Sequence, residues 1–167
     1  MNLALMIIDM QKAYYAGPTI AQMDAAAEYI NWLIPKFEEK GLPVIWVYNV
    51  DEEDGAVPGN DAFEFIDLLK PAEAHIKIHK RYGNSFNKTD LDAVLKSLGV
   101  DTIVLTGFCA EFCVLSTYRG AKDLDYFPVI LKSGIASTKE ESKQFVENIS
   151  EAVTAGMLAR MLGEVRP

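Results

Sequence analysis

Histidine is almost missing from this chain: 167 residues carry only His75 and His79. Cysteine is as scarce, with Cys109 and Cys113 in one short segment. Two such neighbours are not a disulfide framework, and the chain reads as cytoplasmic. Positive charge is in deficit, 16 Lys and Arg against 24 Asp and Glu, giving a net charge of −8 and a pI near 4.8. That balance argues against nucleic acid or an anionic membrane as the main partner. The N-terminus offers no basic leader, and Asp9 breaks the first apolar run too soon for a signal peptide or a membrane span. No Gly-x-Gly-x-x-Gly follows that run, so a dinucleotide-binding domain fits poorly. Internal repeats, low-complexity tracts and convincing linkers are also missing.

What is present is a core-forming composition. Half the residues are hydrophobic, and the length suits a single domain over residues 1–167. Short β-branched runs alternate with helical patterns. Strands are predicted at 3–8, 43–48, 74–80, 102–106 and 127–131. Helical spacing of Met23, Ala26, Ala27, Ile30, Leu33, Ile34 and Phe37 predicts a first helix that Pro35 should kink or split. A further helix is expected near 90–98 and another after Cys113. A last helix is expected to carry Phe145, Ile149, Val153, Met157 and Met161 at intervals of four, with Ser137 to Glu141 as its capping signal. Alternating strands and helices mean a three-layer α/β domain, its mostly parallel sheet covered on both faces.

Three strand ends carry chemistry. Asp9 closes the first strand, Lys80 closes the run from Ala74, and Cys113 follows the turn after Thr102–Thr106. In an open parallel sheet the C-terminal strand ends share one edge, where ligands bind. A carboxylate, an amine and a thiol brought together there form a nucleophilic constellation. A thiol at a strand-to-helix turn also meets the positive end of a helix, which favours the thiolate. Each residue has a plainer reading. Most free cysteines are small buried hydrophobes, Asp9 suits a turn after a strand, and a His-Lys-Arg run suits a solvated surface.

Three segments together resemble the isochorismatase-like cysteine hydrolases. Asp9-Met10-Gln11-Lys12-Ala13-Tyr14 looks like that family's opening Asp-x-Gln-x-x-aromatic motif. Lys80 with Tyr82, Ser85, Phe86, Thr89 and Leu91 is similar to its lysine segment. Gly107-x-x-x-Glu111-x-Cys113-Val114-x-x-Thr117 resembles its nucleophile segment. The order and separations match across nearly the whole chain. The resemblance implies a parallel sheet of five to six strands with Asp9, Lys80 and Cys113 as a triad. It places a non-proline cis bond at Phe108–Cys109 and an oxyanion hole at the N–H groups of Cys109 and Cys113. It makes Tyr14 and Phe86 apolar substrate walls and Gln11 a structural anchor. A homo-oligomer, a dimer or larger, is expected on the same ground.

The departures bear on substrate. Nicotinamidases of this family hold a divalent ion through an Asp-x-His pair after the second strand, where this chain reads Asn49-Val50-Asp51-Glu52-Glu53-Asp54-Gly55. His75 and His79, on a strand of about 3.3 Å rise, would stand roughly 13 Å apart. The expectation is therefore no metal and no other cofactor. True isochorismatases act on a vinyl ether and need no thiol. Keeping Cys113 favours a small amide or carbamoyl substrate, hydrolysed through a thioester. The competing class is a non-catalytic or redox-responsive α/β binding protein that retains the fold.

Overall fold

The computed structural model describes residues 1–163, so the last four positions of the expected 1–167 domain lie outside the described residues. Six parallel strands form one sheet: β1 (Leu3–Ile8), β2 (Val44–Asn49), β3 (Ile76–Lys80), β4 (Thr102–Phe108), β5 (Phe127–Ala136) and β6 (Ala152–Val153). Their order is β3-β2-β1-β4-β5-β6, so β1 and β4 lie at the centre. All six residues of β1 are buried, as a central strand covered on both faces requires.

Alternation along β1 sorts the core into two layers. Leu3, Leu5 and Ile7 join Trp46, Tyr48, Phe63 and Phe65 under helix α1 (Thr19–Glu39), while Ala4, Met6 and Ile8 join Leu91, Leu95, Val114, Tyr118 and Val146. Those last five side chains come from α2 (Leu91–Ser97), the cysteine turn, α3 (Leu115–Asp123) and α4 (Glu140–Ile149). Helices therefore cover both faces, and the three-layer α/β expectation holds.

Two expectations need correction. Pro35 does not split helix α1, which is continuous from Thr19 to Glu39. The proline lies near the C-terminal end, and the buried stripe Ile30, Leu33 and Phe37 clamps both sides of it to the sheet. The expected last helix is instead three elements: α4, the short strand β6 and α5 (Ala155–Met161). Ala152 and Val153 pair with Ile130 and Leu131, and the Thr154 side chain caps α5 by accepting from the Met157 N–H. The capping signal also acts elsewhere. Lys139 is the N-cap of α4 without a side-chain bond, and Ser137 accepts from the Lys139 N–H while donating to Glu111.

The meeting of β1 and β4 shapes the site. Gly107 has φ +108°, and a Cβ built there would lie 2.1 Å from the Ile8 carbonyl oxygen. Only glycine allows the two strands to approach so closely. The β4–β5 register shifts between Leu105 and Gly107, and Asp9 leaves β1 in the left-handed region at φ 51°. An aspartate tolerates that region better than most residues, and strain of this kind gathers at functional sites.

Candidate active site

Three strand ends deliver the expected residues to one place. Lys80 Nζ lies 2.7 Å from Asp9 Oδ2 and 3.3 Å from Cys113 Sγ. Asp9 and Lys80 are each only 1% exposed. A buried ion pair is costly to assemble, so its presence is explained better by chemistry than by stability. The other Asp9 oxygen, Oδ1, is buried without a hydrogen-bond partner, and the carboxylate interacts with the Cys113 thiol.

Electrostatics place the resting proton on sulfur. Burial, followed by the negative charge of Asp9, pushes the Cys113 thiol up to about 12, and Lys80 offsets only part of this. Burial also raises the Asp9 carboxyl above its ordinary range despite the pull of Lys80. Burial and the Asp9 charge thus outweigh Lys80 at the sulfur, and the raised Asp9 carboxyl beside it is a stronger base than an exposed aspartate.

The cysteine turn has its own supports. Cys113 lies in a π-helical turn, Ala110–Val114, that leads into α3. The Phe108–Cys109 peptide is cis. Cys109 caps the turn, its carbonyl accepting from the N–H groups of Phe112 and Val114. Its thiol points away from the triad, 3.1 Å from Glu111 Oε2, which also accepts from Ser137 at 2.7 Å. Burial, then Glu111, lifts the Cys109 thiol to about 12, so it is a protonated packing group. The two thiols therefore face different partners.

The lysine segment is pinned to the cysteine helix. Thr117 Oγ1 accepts from the Ser85 N–H at 3.0 Å and shares a 2.8 Å hydrogen bond with Ser85 Oγ. Thr89 donates to the Ser85 carbonyl. Phe86 stacks on Tyr126 at 5.7 Å and, like Cys113, packs against the second core layer.

Asn49 was not foreseen as a site residue. It ends β2 beside Lys80 in register and accepts from Lys80 Nζ at 3.1 Å through Oδ1. Its Nδ2 donates to the Tyr14 hydroxyl at 2.8 Å. Gln11 holds the Asn49 backbone from both sides, accepting its N–H at 2.7 Å and donating to its carbonyl at 3.0 Å. A polar residue at the end of a strand was the available signal, since Asp9 and Lys80 occupy equivalent places. The Tyr14 ring stacks on Phe108 at 5.6 Å, beside the cysteine turn.

This donor set does not fit a tight metal ion. Asn49 Oδ1 is occupied by Lys80, and Asp51 Oδ1 accepts from the N–H groups of Glu53 and Asp54 in its own loop. Nδ1 of His75 accepts from Trp46 Nε1 at 2.9 Å, and His79 packs against Tyr48 and Phe63. Among the described residues no group of three or more His, Cys, Asp or Glu side chains is arranged to hold an ion. No helix among them is long and apolar enough to cross a membrane.

Comparison with known proteins agrees with the geometry. The model of the isochorismatase domain matches residues 3–158. The chain is 36% identical to ureidoacrylate amidohydrolase RutB of Caulobacter vibrioides, over 86% of this chain and 80% of that protein. An isochorismatase-like hydrolase from Alkaliphilus metalliredigens superposes with TM-score 0.88 at 25% identity, covering 96% of this chain and 99% of that one. N-carbamoylsarcosine amidase from Thermoplasma acidophilum shares the fold, with TM-score 0.81 at 23% identity over the full length of both chains. The chain belongs to the isochorismatase family and is one of its hydrolases.

Proposed function

We propose that this protein, acting as a single domain, is a cysteine hydrolase of a small amide or carbamoyl C–N bond. The observation that carries this reading is the buried lysine whose ammonium contacts both Asp9, at 2.7 Å, and Cys113, at 3.3 Å. In the first step Asp9 Oδ1 takes the thiol proton and Lys80 stabilises the forming thiolate. Sulfur bonds to the substrate carbonyl carbon, and the displaced electron pair settles on oxygen, held by the N–H groups of Cys109 and Cys113. Collapse of this intermediate breaks the C–N bond as Asp9 returns its proton to the leaving nitrogen. Water then attacks the thioester and gives a proton to Asp9. Release of the acid restores the thiol, so the net reaction is amide plus water to acid plus amine or ammonia.

A relative named for ureidoacrylate hydrolysis and a fold neighbour named as an N-carbamoylsarcosine amidase support a carbamoyl or amide substrate. The separate environments of the two thiols weigh against a redox pair. The test is ammonia release from a panel of small amides, ureido compounds and N-carbamoyl compounds, with and without a chelator. At least one member should be hydrolysed, with full activity retained after chelation and lost once one equivalent of iodoacetamide has modified Cys113. Turnover by protein fully alkylated at Cys113 would overturn the proposal. Activity lost on chelation and restored by a transition metal would overturn the metal-free site.

A further inference from the structure

The hydrogen-bond directions around Asn49 fix something that Tyr14's place in the motif does not. An ammonium has only hydrogens to give, so the Asn49 oxygen must face Lys80 and its NH2 must face Tyr14. The amide orientation is therefore set by chemistry, whichever way it would otherwise turn. Tyr14's oxygen is thereby an acceptor, and its own hydrogen has no acceptor among the described residues. Burial, with the Asp9, Asp51 and Asp54 carboxylates nearby, keeps the phenol protonated. The ring stacks on Phe108, the residue before Cys109, and Asn49 links the hydroxyl to the Lys80 ammonium that contacts Cys113.

We propose that Tyr14 is a specificity-determining hydrogen-bond donor that selects substrates with a second acceptor oxygen beyond the scissile carbonyl, and that Asn49 is the positioning residue directing it. The proposal rests on Cys113 as the acyl-accepting nucleophile. The substrate class narrows to small C–N compounds with a further carbonyl, carboxylate or ureido oxygen. An aliphatic amide of equal size would leave the half-buried hydroxyl with no partner, and sites built to make a hydrogen bond reject analogues that lack it. Tyr14 is thus more than an apolar wall.

The test uses two neutral α-chloroacetamides, one with a ketone in its N-substituent and the other with a methylene in place of the ketone oxygen. The rate of Cys113 alkylation by each is read by intact mass. Wild-type protein should prefer the ketone by roughly three- to tenfold, the scale of one net hydrogen bond. Tyr14→Phe keeps the stacked ring and should bring the ratio near one. Asn49→Asp should do the same with Tyr14 in place. A carboxylate accepts from both Lys80 and Tyr14, so the phenol hydrogen turns inward, an effect that mere loss of packing would not mimic. A ratio unchanged in both variants would overturn the proposal and leave the hydrolase reading intact. Failure of both probes to label Cys113 in wild-type protein would remove the nucleophile and the proposal with it.

Discussion

At the scale of single residues, Asp9 is asked to do two opposing things. Its charge beside Cys113 holds the thiol up, and in the proposed mechanism its Oδ1, which has no hydrogen-bond partner, is the base that removes the proton. Asp9→Asn separates these roles. Without the carboxylate, Lys80 acts on sulfur unopposed, so the Cys113 thiol should ionise at lower pH than in wild-type protein, seen as thiolate absorbance near 240 nm. Hydrolysis should fall by about 10²–10⁴-fold, because nothing protonates the leaving nitrogen. An unmoved thiol titration, or retained turnover, would contradict this division. In wild-type protein the sign follows from the direction of the Asp9 shift. The base must be ionised and burial raises its carboxyl, so kcat/KM should decline on the acid side at a higher pH than an exposed aspartate would give. Asp9, Lys80 and Cys113 were legible in the sequence because each ends a strand or follows one within a dense motif. Asn49 was not singled out, because a lone Asn after a strand is usually a turn former. Its role arises only from the register that sets it beside Lys80. The direction of Tyr14's hydroxyl was illegible for the same reason.

At the scale of elements, the close contact of β4 with β1 is the most constrained feature. Gly107→Ala would set a Cβ against the Ile8 backbone at a positive φ, with no flexible side chain to give way. A loss of more than about 2 kcal/mol in unfolding free energy is expected, from a clash and an unfavourable conformation combined. Chemical denaturation checks it, and an unchanged midpoint would show that the strands can part cheaply. β1, β2 and β4 were legible because buried parallel strands are continuous apolar runs. The end of the chain was misread for an equally physical reason. Of the five residues spaced by four, Phe145, Ile149, Met157 and Met161 are 55%, 47%, 57% and 48% exposed, and only Val153 packs against the core. Their spacing suggests one helix, while the side chains that hold α4 and α5 are Val146, Ala155, Leu158 and Ala159. Periodicity marks a face without saying that the face is inward. A two-residue strand such as β6 is also too short to leave a pattern.

At the scale of the whole molecule, the sheet gathers three distant residues at one edge, and its topology accounts for how. Strand order sets β1 next to both β2 and β4, so Asp9 stands between the strand carrying Asn49 and the turn carrying Cys113. Lys80, from the edge strand β3, crosses above Asn49 to reach both. At the meeting point one buried cation contacts one carboxylate and the thiol. Fold class followed from alternation alone, whereas the charge state of the thiol required the packed structure, because burial decides it. The most direct measurement is ammonia release by Cys113→Ala, on whichever panel compound the wild-type protein hydrolyses, with folding checked by thermal melting. A fall in kcat of several thousandfold or more at an unchanged melting profile is expected for loss of a covalent nucleophile. Turnover within tenfold of wild type would show that the thioester route is wrong.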